Sequence, residues 1–150
     1  MKTIFKLGVV VLCMLVLMTG QMLGDTAPMR GSGAGQITGV TPGPNGVEIT
    51  AVGHGNATQL GRFSRSETIL LNPSTGTFTG TITFVAANRD ELYCTFEGAF
   101  TSQTTASGVY TFTGGTGRFK NASGQADFNI SQSDQVNFTF NFRGLIATEE

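Results

Sequence analysis

The chain predicts an all-β domain: a closed antiparallel barrel of about eight strands, behind an N-terminal signal helix, with a β-sandwich as the alternative. Three observations lead there. Residues 136–146 (Val-Asn-Phe-Thr-Phe-Asn-Phe-Arg-Gly-Leu-Ile) alternate apolar and polar side chains, and four further segments do the same. A period of two sends successive side chains to opposite faces of a pleated strand. Clusters of Gly, Asn, Pro and Ser punctuate these segments at short intervals, as hairpin turns do. Beyond residue 24 no stretch carries a 3.6-residue apolar period, so no helix covers the apolar sheet face. Such a sheet packs on a second sheet or closes on itself, and closure also removes exposed strand edges.

The N-terminus reads as a secretory signal over residues 1–24. A basic opening, Met1 to Lys6, leads into an apolar run from Leu7 to Met18, ended by Thr19-Gly20-Gln21. That run as helix covers ~18 Å, short of the ~30 Å hydrocarbon core. Gly20 and Gly24 are the candidate last residues of the signal, whose loss removes Cys13 and leaves no stable membrane span. The chain is thus expected to be exported, to the periplasm or the extracellular space.

Residues 25–35, rich in glycine and small side chains, predict a flexible leader with nothing to bury. The barrel domain is expected over 36–148. Gln36 to Thr41 is a first strand, closed by the turn signal Pro42-Gly43-Pro44-Asn45-Gly46. Val47, Ile49 and Ala51 alternate along the second, which Gly53-His54-Gly55-Asn56 bends. Ile69 and Leu71 mark the third, ended by Asn72-Pro73-Ser74-Thr75-Gly76. Phe78, Ile82 and Phe84 line the fourth, and a turn at Asn88-Arg89-Asp90 returns the chain through Leu92, Cys94 and Phe96. Tyr110 and Phe112, then Phe128 and Ile130, then Phe138, Phe140 and Phe142 supply the inner faces of the last three strands. A Gly-Arg-Phe echo at 61–63 and 117–119 suggests that each copy opens a strand.

Composition excludes several functions. Without Lys2 and Lys6, seven basic residues face ten acidic ones, a formal charge of −3. There is no basic patch for nucleic acid and no lysine-rich amphipathic helix for a membrane surface. Cys94 stands alone after cleavage, on the apolar parity of its strand, and reads as a buried inert thiol. His54, the one histidine, has no second ligand nearby, so no metal and no cofactor are expected. Gly114-Gly115-Thr116-Gly117 reads as a hairpin turn, since a phosphate loop opens a helix and needs a Lys-Ser/Thr pair.

Several motifs resemble the allene oxide cyclase barrel-like proteins. They are Thr58 to Phe63, Phe78-Thr79-Gly80, Ala86 to Leu92, Phe112 to Phe119 and Gly144-Leu145-Ile146, together spanning about Val52 to Ile146. Many members are exported bacterial proteins. The resemblance implies an eight-stranded barrel of calycin-like shape and carries no cyclase residue to a position here. Two departures stand out. Arg89 replaces a glycine the family often has, where a tight turn with positive φ is less comfortable for a side chain. Gln59 replaces a histidine.

Parity places the carboxylates of Glu48, Glu97 and Asp127 outward and Asp134 in a turn, so the interior is expected to hold almost no titratable group and no catalytic residue. About ten phenylalanines share the inner face and fill most of an eight-stranded barrel. Where they leave a slim apolar pocket, Phe84, Phe96, Tyr110 and Phe140 are the expected ligand contacts, with Asn88 and Asp90 at one rim. The leading expectation is a non-catalytic exported barrel that binds a small apolar ligand or a surface partner. A structural or adhesive envelope module is second. A cyclase or isomerase acting by confinement is third. The sequence sets no oligomeric state.

Overall fold

The computed structural model describes residues 25–148, and the expected signal segment lies outside them. Eight strands follow one another: β1 Asp25–Gly43, β2 Gly46–Ala57, β3 Gly61–Asn72, β4 Thr77–Val85, β5 Glu91–Phe100, β6 Thr105–Gly115, β7 Ser123–Gln132 and β8 Asn137–Thr148. Each pairs antiparallel with the next, and β1 closes on β8, giving a complete barrel. Closure rules out the sandwich. The one helical element among the described residues is a single 3₁₀ turn, Gly117–Phe119.

Two expectations are corrected. Residues 25–35 are not a leader but the first half of β1, paired with β8 along its whole length. Their glycines are required by the aromatic rings of β8 together with the backbone of β2, whose His54 carbonyl lies nearer to a Cβ on Gly33 than the ring does. Gly31, Gly33 and Gly35 stand directly opposite Phe142, Phe140 and Phe138. A Cβ on Gly33 would lie 2.7 Å from the tip of the Phe140 ring, and one on Gly35 2.5 Å from that of Phe138. Each ring lies over a bare backbone, so glycine marks a packing position here and not a hinge. The same pairing recurs at Gly80 with Phe96, Gly98 with Phe78 and Gly108 with Phe128. This device lets so many rings share one small lumen.

The second correction concerns the Gly-Arg-Phe echo. Gly61 does open β3, but Gly117-Arg118-Phe119 coils into the 3₁₀ turn, and β7 begins later, at Ser123. Both glycines take a left-handed conformation and both phenylalanines are buried. Phe119 turns inward as a plug.

Hairpin topology gives the barrel two unlike ends. The β2–β3, β4–β5 and β6–β7 connections gather at one end with both ends of the described chain. Leu60, Phe112, Phe119, Met29 and Ile146 seal it, each almost wholly buried. The β1–β2, β3–β4, β5–β6 and β7–β8 turns ring the other end. There Ile37, Ile69, Leu71 and Ile130 are only half-buried and Phe100 is exposed.

Candidate functional site

The site grows from β3. Its inner face carries, two residues apart, Phe63, Arg65, Glu67, Ile69 and Leu71. A charged pair thus enters the barrel between apolar neighbours. Space for it comes from β2, where Gly53 stands opposite Arg65 and Ala51 opposite Glu67. On the other side β4 contributes Phe84 and Ile82 at the same levels.

Arg65 is almost completely enclosed. Its Nη2 donates to Glu67 Oε2 at 2.5 Å, and its Nη1 donates to the hydroxyl of Tyr110, reaching in from β6, at 2.9 Å. The guanidinium carbon lies 3.9 Å from the centroid of the Phe140 ring. The Arg65 and Glu67 side chains are 1% and 2% exposed, so neither charge is hydrated in the ordinary way. Arg65 Nε has no hydrogen-bond partner, and it is the one buried side-chain polar atom in that position among the described residues.

Burial dominates the proton equilibria. It works against the Arg65 charge, but the Tyr110 and Glu67 oxygens outweigh it, and the guanidinium is held above its usual value. Burial raises the Glu67 carboxyl, with Arg65 pulling the other way. Burial pushes the Tyr110 hydroxyl up to about 12, so it stays a phenol. The Cys94 thiol is likewise pushed up to about 12 by burial, which makes it unreactive at neutral pH.

Above this cluster, toward the open end, lies a cavity of about 70 Å³. One water occupies about 10–15 Å³ on the same kind of measure, so the space is several waters large. Arg65, Glu67 and Tyr110 form its polar floor. Ile37, Ile69, Leu71, Phe78, Ile130 and Phe138 are among its walls, and Phe100, Thr104 and Gln132 stand at the mouth. A mostly apolar hollow with a few converging polar groups has the general make-up of a small-molecule site.

The expected contact residues divide between places. Phe96 and Tyr110 line the cavity. Phe84 and Phe140 are buried beside the Arg65 guanidinium but do not line it. Asn88 and Asp90 sit in the β4–β5 turn, at the sealed end. There Asn88 Oδ1 accepts from the Asp90 amide at 3.0 Å and Asn88 Nδ2 donates to Asp90 Oδ2 at 3.0 Å. Asp90 Oδ2 also accepts from the Arg118 amide at 3.3 Å, tying this turn to the 3₁₀ turn. Their contacts are those of a loop clasp. His54 is exposed, and among the described residues no cluster of His, Cys, Asp and Glu has the grouping of a metal site.

The expectation that the interior lacks titratable groups is overturned by Arg65 and Glu67. Residue type misleads here, because an unpaired buried charge is very costly and a charged residue normally reads as outward. The parity signal was nevertheless present. Stepping back by twos from Leu71 and Ile69 reaches Glu67, Arg65 and the buried Phe63.

No family model matches the chain, and no curated protein matches it in sequence. Among solved structures it is similar to two dirigent proteins. One is the pterocarpan synthase dirigent protein GePTS1, with a TM-score of 0.62 and 12% identity over 85% of this chain and 90% of that one. The other is the pterocarpan synthase dirigent protein PsPTS1, with a TM-score of 0.63 and 12% identity over 84% of this chain and 97% of that one. At such identity the likeness is one of fold: the eight-stranded barrel that the sequence motifs also implied.

Proposed function

We propose that this protein is an exported barrel that binds one slim, predominantly apolar molecule through its open end. One observation carries the reading: an apolar hollow of about 70 Å³ stands over a dry polar cluster, inside a barrel whose other end is plugged. Burial of a chain-like ligand against Ile69, Leu71 and Ile130 would contribute roughly 25 cal/mol for each Å² of apolar surface removed from water. The test is a methyl NMR titration with hexane and 2-hexanone. Saturable shifts are expected at Ile69, Leu71 and Ile130 and none at Ile146 behind the plug. Unsaturable or uniform shifts with both probes would overturn the binding reading.

Export rests on the basic opening and short apolar run before residue 24. β1 starts at Asp25, so a cut after Gly20 or Gly24 would leave every barrel strand whole. Cell fractionation with N-terminal sequencing tests this: a mature chain beginning at Gln21 or Asp25 is expected. A cytoplasmic chain that retains Met1 would overturn it.

A second reading, rearrangement of the ligand by confinement, is favoured by the names of the two structural neighbours, both pterocarpan synthases. It comes to this chain by analogy of fold alone. A bound ligand recovered as an isomer of equal mass would support it, and recovery of the unchanged molecule would count against it.

A further inference from the structure

A buried arginine at the bottom of an apolar barrel invites a carboxylate ligand. Here that place is already taken. Glu67 Oε2 occupies the Nη2 edge of Arg65 at 2.5 Å, and the two charges sum to zero. Among the residues that line the cavity, Arg65 and Glu67 are the only charged ones. An entering carboxylate would meet no spare cation, would sit beside a like charge, and would lose its hydration.

The cluster does have unused donors. Tyr110 accepts from Arg65, and among the described residues no acceptor takes its own hydroxyl proton. The Arg65 Nε–H is also unpaired, on a side chain that is 1% exposed. Both residues border the cavity. Buried donors left without acceptors are costly, and an oxygen that pairs with one relieves that cost.

Resting on the binding reading above, we propose that the cavity selects neutral molecules carrying one polar oxygen on a slim apolar body, of the ketone or alcohol class, and rejects fatty carboxylates. Glu67 is the specificity-determining residue, because it fills the position of the carboxylate. Tyr110 supplies the hydrogen bond to the ligand oxygen.

The experiment compares three probes of one length, hexane, 2-hexanone and hexanoate, at neutral pH by the same methyl NMR titration. The wild-type protein is expected to bind 2-hexanone about fivefold or more tighter than hexane, the worth of roughly one hydrogen bond. Hexanoate is expected to bind more weakly than either. Tyr110→Phe should lower the ratio of 2-hexanone to hexane affinity. Glu67→Gln should leave the guanidinium charge unneutralised and make hexanoate the tightest of the three, and hexanoate should raise the melting temperature of that variant. Tightest wild-type binding to hexanoate would overturn the proposal, as would equal affinity for ketone and alkane or an unaltered order in Glu67→Gln. Should Glu67→Gln fail to fold, the wild-type and Tyr110→Phe titrations decide. If hexane and 2-hexanone both bind but without preference, only the selectivity falls. If neither binds, the binding reading falls with it.

Discussion

The two ends of this barrel are built from the same eight strands and differ in what the loops bring. At the sealed end the β2–β3 and β6–β7 connections fold Leu60 and Phe119 inward over Phe63, Phe112 and Ile146, and all five are 3% exposed or less. At the open end the turns stay on the rim, and the inner faces finish in half-buried Ile69, Leu71 and Ile130. A strand period dictates which side chains point inward, but loops decide whether the lumen is stoppered. One half of the barrel is therefore a core and the other a container, with Arg65 and Glu67 at the boundary.

The same charge introduced at each end should separate them most sharply. Phe119→Asp places an unpaired carboxylate in a fully enclosed position, and no folded protein is expected, by circular dichroism or by soluble yield. Phe100→Asp changes a mouth residue that is 40% exposed, and a folded barrel with weakened 2-hexanone binding is expected. Equal damage from both would erase the distinction between core and container.

The boundary comes next. Glu67→Gln leaves the buried Arg65 charge without a counter-charge, and removing one member of such a pair costs about 3–5 kcal/mol. The double change Arg65→Met with Glu67→Leu removes both charges and is expected to recover that loss, since apolar replacements of buried ion pairs are often neutral or stabilising by about 1–4 kcal/mol. Urea midpoints at unchanged slope measure both. The double variant should keep the preference for 2-hexanone over hexane, because the Tyr110 hydroxyl remains. A double variant as unstable as the single one would make the pair a structural brace.

How much of this was legible in the residues follows from what each signal depends on. Alternation along 136–146 was enough for β8, because Phe138, Phe140 and Phe142 report their face by type alone. The glycines at 31, 33 and 35 carry no such mark. Their meaning is relational, set by rings more than a hundred positions away in the chain, and only the β1–β8 register reveals it. Arg65 and Glu67 obey the parity of β3 but violate the usual chemistry of an interior, so composition argued against the phase of the strand. Tyr110, Phe96, Phe84 and Phe140 were legible as inward side chains because parity and type agreed, but parity does not say which of them border the cavity and which pack beside Arg65. Asn88 and Asp90 were legible as a turn. That this turn lies at the end away from the cavity depends on counting hairpins around the barrel, which no local motif encodes.

The glycine–ring pairing makes a smaller, graded prediction. Gly33→Ala would push a methyl into the Phe140 ring, at 2.7 Å, and against the backbone carbonyl of His54. Neither the backbone nor a packed ring can yield freely, and overpacking of this kind costs about 1–3 kcal/mol. Gly39→Ala, on the same strand toward the open end, meets only the Thr50 hydroxyl, at 2.8 Å. That side chain can turn away, so the cost should stay below about 1 kcal/mol. Thermal melts of the two variants give the comparison, and equal losses would remove the close approach of ring and backbone as the reason for glycine.

The smallest effects belong to the β4–β5 turn. Asn88→Ala removes the acceptor of the Asp90 amide and a donor to its carboxylate, both exposed, and a loss of about 1 kcal/mol is expected. Arg89 is the one non-glycine residue with positive φ among the described residues, at 78°. A side chain there is strained, so Arg89→Gly should gain about 0.5–1 kcal/mol once the added chain freedom of glycine is offset. Opposite signs at adjacent positions are the mark of a turn whose geometry is fixed by its clasp and opposed by its middle residue. Neither change should move the affinity for 2-hexanone, because the plug of Leu60, Phe112 and Phe119 stands between this turn and the cavity. A shift in affinity from Asn88→Ala at unchanged fold would reopen the sealed end as a ligand rim and give the barrel a second mouth.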